Sequence, residues 1–310
     1  MMNVLIIGSD GYIGSRLKQV LVHDHQITGV DSGWFHQNET TVSLDYRNLT
    51  SDELEKFDAI VLLAGHSSVK SCDGPIRSPW LNNVKNFTDL LTKTRNDQAI
   101  IYASSASVYG NSGPDGLHTE ESSEFTPVNN YDVTKYVLDL HADRALQQGR
   151  KIIGLRFGTV CGWSPVLRTD VVINSMYETA RITNSISVTN SHTSRAILGM
   201  EDLCAAINCC LTTPISGIYN LASFNVTIGE IATTMAEILN IGVVNNELAQ
   251  SSHVYDFRLS TELFQQTYNF TFKENLNSIV RSLEKNYNHL KKKQRRDCYI
   301  EYDWNINEHR

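Results

Sequence analysis

Tyr131 and Lys135 stand four residues apart, a spacing that sets a phenol and an ammonium on one face of a helix. A nearby ammonium favours the phenolate and is expected to lower the tyrosine pKa toward neutrality. Such a phenolate can take a hydroxyl proton while the adjoining C–H departs as hydride. The spacing alone is weak evidence: about half a pair is expected by chance in a chain with 13 tyrosines, and Tyr287 with Lys291 repeats it. Position separates the two. Tyr131 opens a helix after an apolar strand that closes in Ser104-Ser105-Ala106-Ser107-Val108-Tyr109-Gly110, whereas Tyr287 lies on a polar C-terminal helix far from any strand end. Serines just past a parallel strand lie at the carboxyl edge of the sheet, where ligands of such folds bind. Ser105 is therefore expected to orient a substrate oxygen beside Tyr131 as acid/base, with Lys135 as its charged partner.

A second chemical signal is Gly8-Ser9-Asp10-Gly11-Tyr12-Ile13-Gly14, between the first apolar strand and the first helix. Glycines there permit a tight turn and let backbone reach a pyrophosphate, and the helix N-terminus offers unpaired N–H groups to it. The same G-x-x-G-x-x-G spacing at Gly110, Gly113 and Gly116 carries Pro114 and Asp115 and opens no apolar helix, so it reads as a surface turn. Asp31 ends the second strand, 17 residues after Gly14. A carboxylate there can accept both adenosine ribose hydroxyls and repels a 2′-phosphate, so the cofactor is expected to be NAD and not NADP.

Those residues need a scaffold. Apolar runs at residues 4–7, 27–30, 58–64, 99–103 and 151–157 alternate with helical patterns over 12–23, 81–94 and 131–147, the last through Val133, Val137, Leu140 and Ala145. Strands alternating with helices imply parallel strands joined by crossovers, hence an α/β, Rossmann-type doubly wound sheet covered on both faces. Beyond residue 157 the alternation stops; the polar stretch 183–194 and separate helices over 200–211, 228–239 and 275–293 read as a smaller, looser C-terminal substrate-binding lobe. The expected division is 1–157 for cofactor, 158–297 mainly for substrate and partly interleaved with the first, and 298–310 as a tail. The basic run Lys291-Lys292-Lys293-Gln294-Arg295-Arg296 reads as a solvated helix end, where cations suit the dipole.

Composition removes other classes. Charged residues make up 20% and hydrophobic ones 41%, and no apolar run approaches the length of a membrane span. A net charge of −7 argues against nucleic acid as a partner. The opening Met1–Gly8 stretch lacks the basic start of a secretory leader. Six cysteines occur without a C-x-x-C pair, which fits reduced thiols in a cytoplasmic protein and provides no zinc site.

Taken together, these motifs resemble the extended short-chain dehydrogenase/reductase family, the NAD-dependent nucleotide-sugar epimerases and dehydratases. The likeness runs over about residues 3–285. Besides the glycine loop, Asp31 and the Tyr131/Lys135 pair, it includes Asp45-Tyr46-Arg47, Leu63-Ala64-Gly65-His66, Asn82-Asn83-Val84, Arg156-Phe157-Gly158, Met200-Glu201-Asp202-Leu203 and Tyr219-Asn220-Leu221-Ala222. The resemblance implies a sheet of seven or so strands and a homodimer through the helices near 81–95 and 131–147. It implies cofactor contacts from Gly8, Gly11, Tyr12, Ile13, Gly14, Asp31, Ser32, Asp45, Tyr46, Leu63, Ala64, Gly65, Ala103, Tyr131, Lys135 and Phe157. His66 reads as a loop residue beside the cofactor. For a nucleotide-sugar substrate it implies Ser105, Ser107, Tyr131, Thr159, Asn174, Arg195 and Arg258, the two arginines as phosphate ligands.

Two departures narrow the reaction. The 4,6-dehydratases carry Asp-Glu after their catalytic hydroxyl residue; Ala106-Ser107 stand there in this chain, which argues against dehydration. Many relatives read R-x-F-N where this chain has Arg156-Phe157-Gly158-Thr159, so Thr159 replaces a phosphate-contacting Asn. An NAD-dependent nucleotide-sugar epimerase is the leading expectation. A 4-keto-reductase of a nucleotide-linked deoxysugar is the alternative, and a non-catalytic NAD(H) sensor is a third, although a sensor needs none of Ser105, Tyr131 and Lys135.

Overall fold

The computed structural model describes residues 1–33, 38–74, 76–111, 116–122, 125–245 and 255–287. Its centre is a seven-stranded, wholly parallel sheet. The strands are β1 (Asn3–Ile7), β2 (Gln26–Asp31), β3 (Val42–Ser43), β4 (Ala59–Leu62), β5 (Ala99–Ser105), β6 (Ile152–Phe157) and β7 (Gly217–Leu221), in the spatial order β7-β6-β5-β4-β1-β2-β3. The central strands β4 and β6 are buried at every position, as continuous apolar runs require when helices cover both faces. One layer of core packs Leu5, Ile7, Ile60 and Ile100 against Phe87, Leu90 and Leu138; the other packs Val4, Ile6, Val61 and Ile101 against Leu17, Leu203 and Ile207.

The α-helices of eight residues or more among the described residues are α1 (Tyr12–Leu21), α2 (Asn86–Lys93), α3 (Asn130–Gln147), α4 (Val172–Thr183), α5 (Met200–Thr212), α6 (Ile228–Leu239) and α7 (Leu276–Asn286). The expected α/β doubly wound class is what forms, with two differences in detail. First, the polar stretch 183–194 holds a strand, Ser185–Val188, paired in parallel with Gly242–Asn245. Second, the helix expected from residue 81 begins at Arg77 and runs through a π-helical segment, Trp80–Lys85, before α2. Residues beyond 157 return to the main sheet, where β7 pairs with β6 and α5 packs on α1. The end of the helix expected to residue 293, the basic run and the tail lie outside the described residues.

Helix α3 corrects the periodicity argument most directly. Val133 and Val137 are half-buried and Leu140 is 51% exposed, whereas Asp132, Lys135 and Asp139 face inward. Each inward charge has a distant partner: Lys135 reaches the Ala103 carbonyl, Asp139 pairs with Arg156 at 2.8 Å and accepts from Tyr102, and Asp132 meets Tyr255. Buried charges are tolerated only when so engaged, and losing one partner typically costs about 3–5 kcal/mol.

A three-stranded sheet of Thr159–Cys161, Ser194–Gly199 and Phe224–Thr227 carries the C-terminal lobe. No helix among the described residues is long and apolar enough to cross a membrane, and no cluster of His, Cys, Asp and Glu there could hold a metal ion.

Candidate active site

The three glycines of the first loop do three separate jobs. Gly8 turns the chain at φ +89°, and a Cβ there would stand 2.7 Å from the Ala64 nitrogen. Gly14 lets α1 sit against the loop, since its Cβ would lie 2.1 Å from the Gly8 carbonyl oxygen. Gly11 has ordinary backbone angles, and a Cβ would meet only that same oxygen, at 3.4 Å. The fold itself therefore does not require glycine at 11. Gly11 is also the N-cap of α1 and provides no side-chain cap, which leaves the first N–H groups of the helix for a ligand. These features fit a dinucleotide pyrophosphate.

Asp31 is held beside the loop by the Asp10 and Gly33 amides, each 3.0 Å from its carboxylate. Asp10, which sequence reasoning passed over as a filler position, is 2% exposed and anchors the region: it accepts from Thr41 Oγ1 and the Asn38 amide, both at 2.6 Å, and pairs with Lys18. Asp45 caps the following turn and binds the Arg47 guanidinium. The loop after β4 passes Gly65, where a Cβ would reach 2.6 Å from Asn83 Oδ1. Asn83 accepts from the His66 amide at 2.8 Å and donates to Thr134 Oγ1 on α3. The π-helical turn thus places one side chain between the cofactor loop and the helix carrying Tyr131. His66 takes hydrogen bonds with Ser78 and Asn82, consistent with a loop residue.

Ser105 ends β5 at the carboxyl edge and caps the short turn Ala106–Tyr109, accepting from the Ser107 amide at 3.2 Å. The two serine hydroxyls are 2.8 Å apart. Asn129 caps α3, so Tyr131 falls in its first turn, where its hydroxyl meets Ser105. Lys135 follows one turn later, its ammonium 5.9 Å from the Tyr131 ring centre and donating to the Ala103 carbonyl at 2.8 Å. The expected trio is brought together.

The protein's own groups do not bring the phenol down. Burial pushes the Tyr131 phenol above its ordinary value; Ser105 and Arg168 pull it back, and Asp132 and Cys72 push it further up. Lys135 does not offset this, because its ammonium is turned to the Ala103 carbonyl and burial lowers its own pKa to about 8. Arg168, absent from the expectations, adds a positive charge that pulls the Tyr131 phenol down; it pairs with Asp170 at 2.7 Å and donates to the Ser67 carbonyl, joining the 162–170 segment to the loop after β4.

The residues expected at substrate are placed unevenly. Thr159 begins its strand next to Ile197, two residues on from Arg195. The Arg195 guanidinium lies 6.0 Å from the Tyr255 ring centre, and burial lowers its pKa. Arg258 sits in the short strand Arg258–Leu259 that pairs with Leu117–His118. Asn174 is fully buried: both amide protons are engaged by Tyr12 Oη and the Arg168 carbonyl, and its oxygen accepts from the Gly162 amide. It braces the lobe against the glycine loop through Tyr12, where contact with substrate was expected. Ser107 stands behind Ser105.

A UDP-glucose 4-epimerase from Lactobacillus helveticus is 32% identical over 182 residues, 53% of each chain, so the match spans about half the length of that relative. Protein CapI of Staphylococcus aureus is 29% identical over 240 residues, 69% of this chain and 71% of that one. Among solved structures, a UDP-glucose-4-epimerase from Stenotrophomonas maltophila with bound NAD and formylated UDP-arabinopyranose superposes with a TM-score of 0.82 at 18% identity, over 92% of this chain and 97% of that one, a likeness of fold. The sequence model of the NAD dependent epimerase/dehydratase family matches residues 4–222, from the first strand through β7 and across every element that carries the loop and the Ser105–Tyr131–Lys135 group. The chain belongs to the NAD-dependent epimerase/dehydratase family.

Proposed function

We propose that the protein is a nucleotide-sugar epimerase that uses its NAD within the catalytic cycle, with Tyr131 as acid/base. The observation that carries this reading is the meeting of Ser105, Tyr131 and Lys135 at the carboxyl edge of β5, beside a glycine loop whose middle glycine the fold does not need. When bound, NAD⁺ supplies the acceptor for a hydride leaving a sugar carbinol carbon. Tyr131, as phenolate, takes the proton of that carbinol and later returns it. Ser105 holds the same oxygen, the charges of Arg168 and of a bound NAD⁺ favour the phenolate, and Lys135 is proposed for the cofactor. Arg195 and Arg258 are proposed for the substrate diphosphate, with Thr159 near the sugar. Ala106-Ser107 in place of an acid and base pair supports epimerisation over water elimination.

We further propose a cytoplasmic homodimer. The half-buried Val133 and Val137 and the exposed Leu140 of α3, together with the exposed Trp80, support a subunit contact, and the buried free thiols Cys72, Cys161, Cys204 and Cys210 support a reducing compartment. The test of the reaction is incubation with UDP-, GDP- and dTDP-sugars and with their 4-keto-6-deoxy derivatives, following absorbance of reduced cofactor. Interconversion without added cofactor is expected. Stoichiometric NADH consumption with a 4-keto sugar would instead assign a keto-reductase.

A further inference from the structure

From β1 the chain winds outward through β2 and β3 on one side, then crosses back to β4 on the other, so the strand order reverses between β1 and β4. The loop after β1 enters α1, which packs on one face of the sheet; the loop after β4 leads to α2, which packs on the opposite face. Two loops that part in this way leave a crevice outside the carboxyl ends of their strands, and a dinucleotide binds across such a crevice.

Residues 162–168 are joined to both walls of it. On the α1 side, the Tyr12 hydroxyl donates to the Gly162 carbonyl at 2.8 Å, the Ser164 hydroxyl donates to the Tyr12 carbonyl at 2.6 Å, and the Ser15 and Ser164 hydroxyls are 2.9 Å apart. On the β4 side, Arg168 Nη1 donates to the Ser67 carbonyl at 2.9 Å. Asn174 draws the two ends of the segment together, accepting from the Gly162 amide at 3.0 Å and donating to the Arg168 carbonyl at 2.9 Å. The two attachments differ in kind. Tyr12, Ser15, Ser164 and Asn174 are all buried, so the first is fixed. The Arg168 side chain is 28% exposed, and its guanidinium is aimed by Asp170, which accepts from Nε at 2.7 Å and from Nη2 at 3.3 Å. A hydrogen bond at the solvent edge opens more readily than buried ones.

We propose that Arg168 is a positioning residue for the cofactor: through the Ser67 carbonyl it latches residues 162–168 across the crevice as a strap, and NAD passes in or out when that latch opens. The consequence for catalysis rests on the epimerase reading and deepens it. An epimerase must return the hydride it has taken, which requires that the cofactor stay bound through the cycle. The latch itself is independent of which sugar is bound.

The test is stopped-flow binding and release of NADH by the full-length protein. Mixing with NADH gives the entry rate; chasing the NADH-loaded protein with excess NAD⁺ gives the release rate from the loss of NADH fluorescence. Passage in either direction crosses the same opening step, so removing the latch should speed both. Arg168→Met keeps the stem and loses the donors. It is expected to raise both rates by about tenfold, the size of one charge-assisted hydrogen bond, with the NADH dissociation constant within about threefold of wild type. Faster release alone, with the dissociation constant raised to match, would make Arg168 a direct ligand of the cofactor and overturn the strap; unchanged rates overturn it too. Asp170→Asn loosens the guanidinium without removing it and should speed both rates by a smaller factor. If Arg168→Met does not fold, unchanged rates in Asp170→Asn overturn the proposal. Turnover of nucleotide sugars is a separate arm: if none is turned over, the epimerase reading fails while the two rates still decide the latch.

Discussion

Tyr131 shows how little a residue type says without its surroundings. Its phenol is raised by burial, so the phenolate that the chemistry needs depends on Ser105, Arg168 and the positive charges that gather there. Tyr131→Phe is expected to lower kcat by about 10²–10⁴-fold while the NAD dissociation constant, read by fluorescence titration, stays within about twofold. Tyr287→Phe should leave kcat near wild type; an equal loss there would show that the wrong tyrosine was chosen. Lys135 gives a stability prediction with a definite sign. Its folded pKa of about 8 lies below the ordinary lysine value, so below pH 8 folding must bury an ammonium and is opposed. As pH rises from about 8 toward 10 the unfolded chain holds the extra proton, and this contribution turns in favour of the folded state. Compared with Lys135→Met in urea unfolding, wild type should therefore gain stability across that window, and a flat difference would remove the assignment.

At the scale of elements, the glycine loop separates folding from binding. Gly14→Ala drives a Cβ into the Gly8 carbonyl oxygen, and overpacking of this kind typically costs about 1–3 kcal/mol. Gly11→Ala meets no such obstacle, so its melting temperature should stay near wild type while NAD affinity falls by about tenfold or more. Parallel calorimetry and cofactor titration would check both; loss of stability in Gly11→Ala with unchanged affinity would reverse the roles. The loop was readable from sequence because its parts are contiguous: strand, turn and helix follow within a dozen residues. Helix α3 was not. Its apolar spacing pointed Val133, Val137 and Leu140 inward, and the partners that bury Asp132, Lys135 and Asp139 instead lie 123, 32 and 17 residues away.

For the whole molecule, the sheet and the lobe are interleaved: β7 completes the sheet from residues beyond the lobe's first strands, and Tyr12 of the glycine loop donates to the Gly162 carbonyl. Glycine loop and C-terminal lobe are thereby mechanically joined. Leu140 of α3 faces away from this core, which gives the assembly prediction. Leu140→Glu should convert a dimer to a monomer in analytical ultracentrifugation with the circular dichroism spectrum retained, because Leu140 contributes to no core cluster of the monomer. A wild-type monomer at micromolar concentration would reject the dimer.

The sequence by itself determined the class of fold and picked out the glycine loop, Asp31 at the end of the second strand and the Ser105, Tyr131 and Lys135 proposed for catalysis. Each is carried by local order: apolar runs that alternate with helices, glycines at a turn, a tyrosine and a lysine one turn apart. What only the tertiary structure decided is which way α3 faces, that Asn174 braces Tyr12, that Arg168 reaches the Ser67 carbonyl and that Tyr255 meets Asp132. The physical reason is common to all four. A buried polar side chain is placed by its partners, and those partners come from distant stretches of chain that only folding brings together.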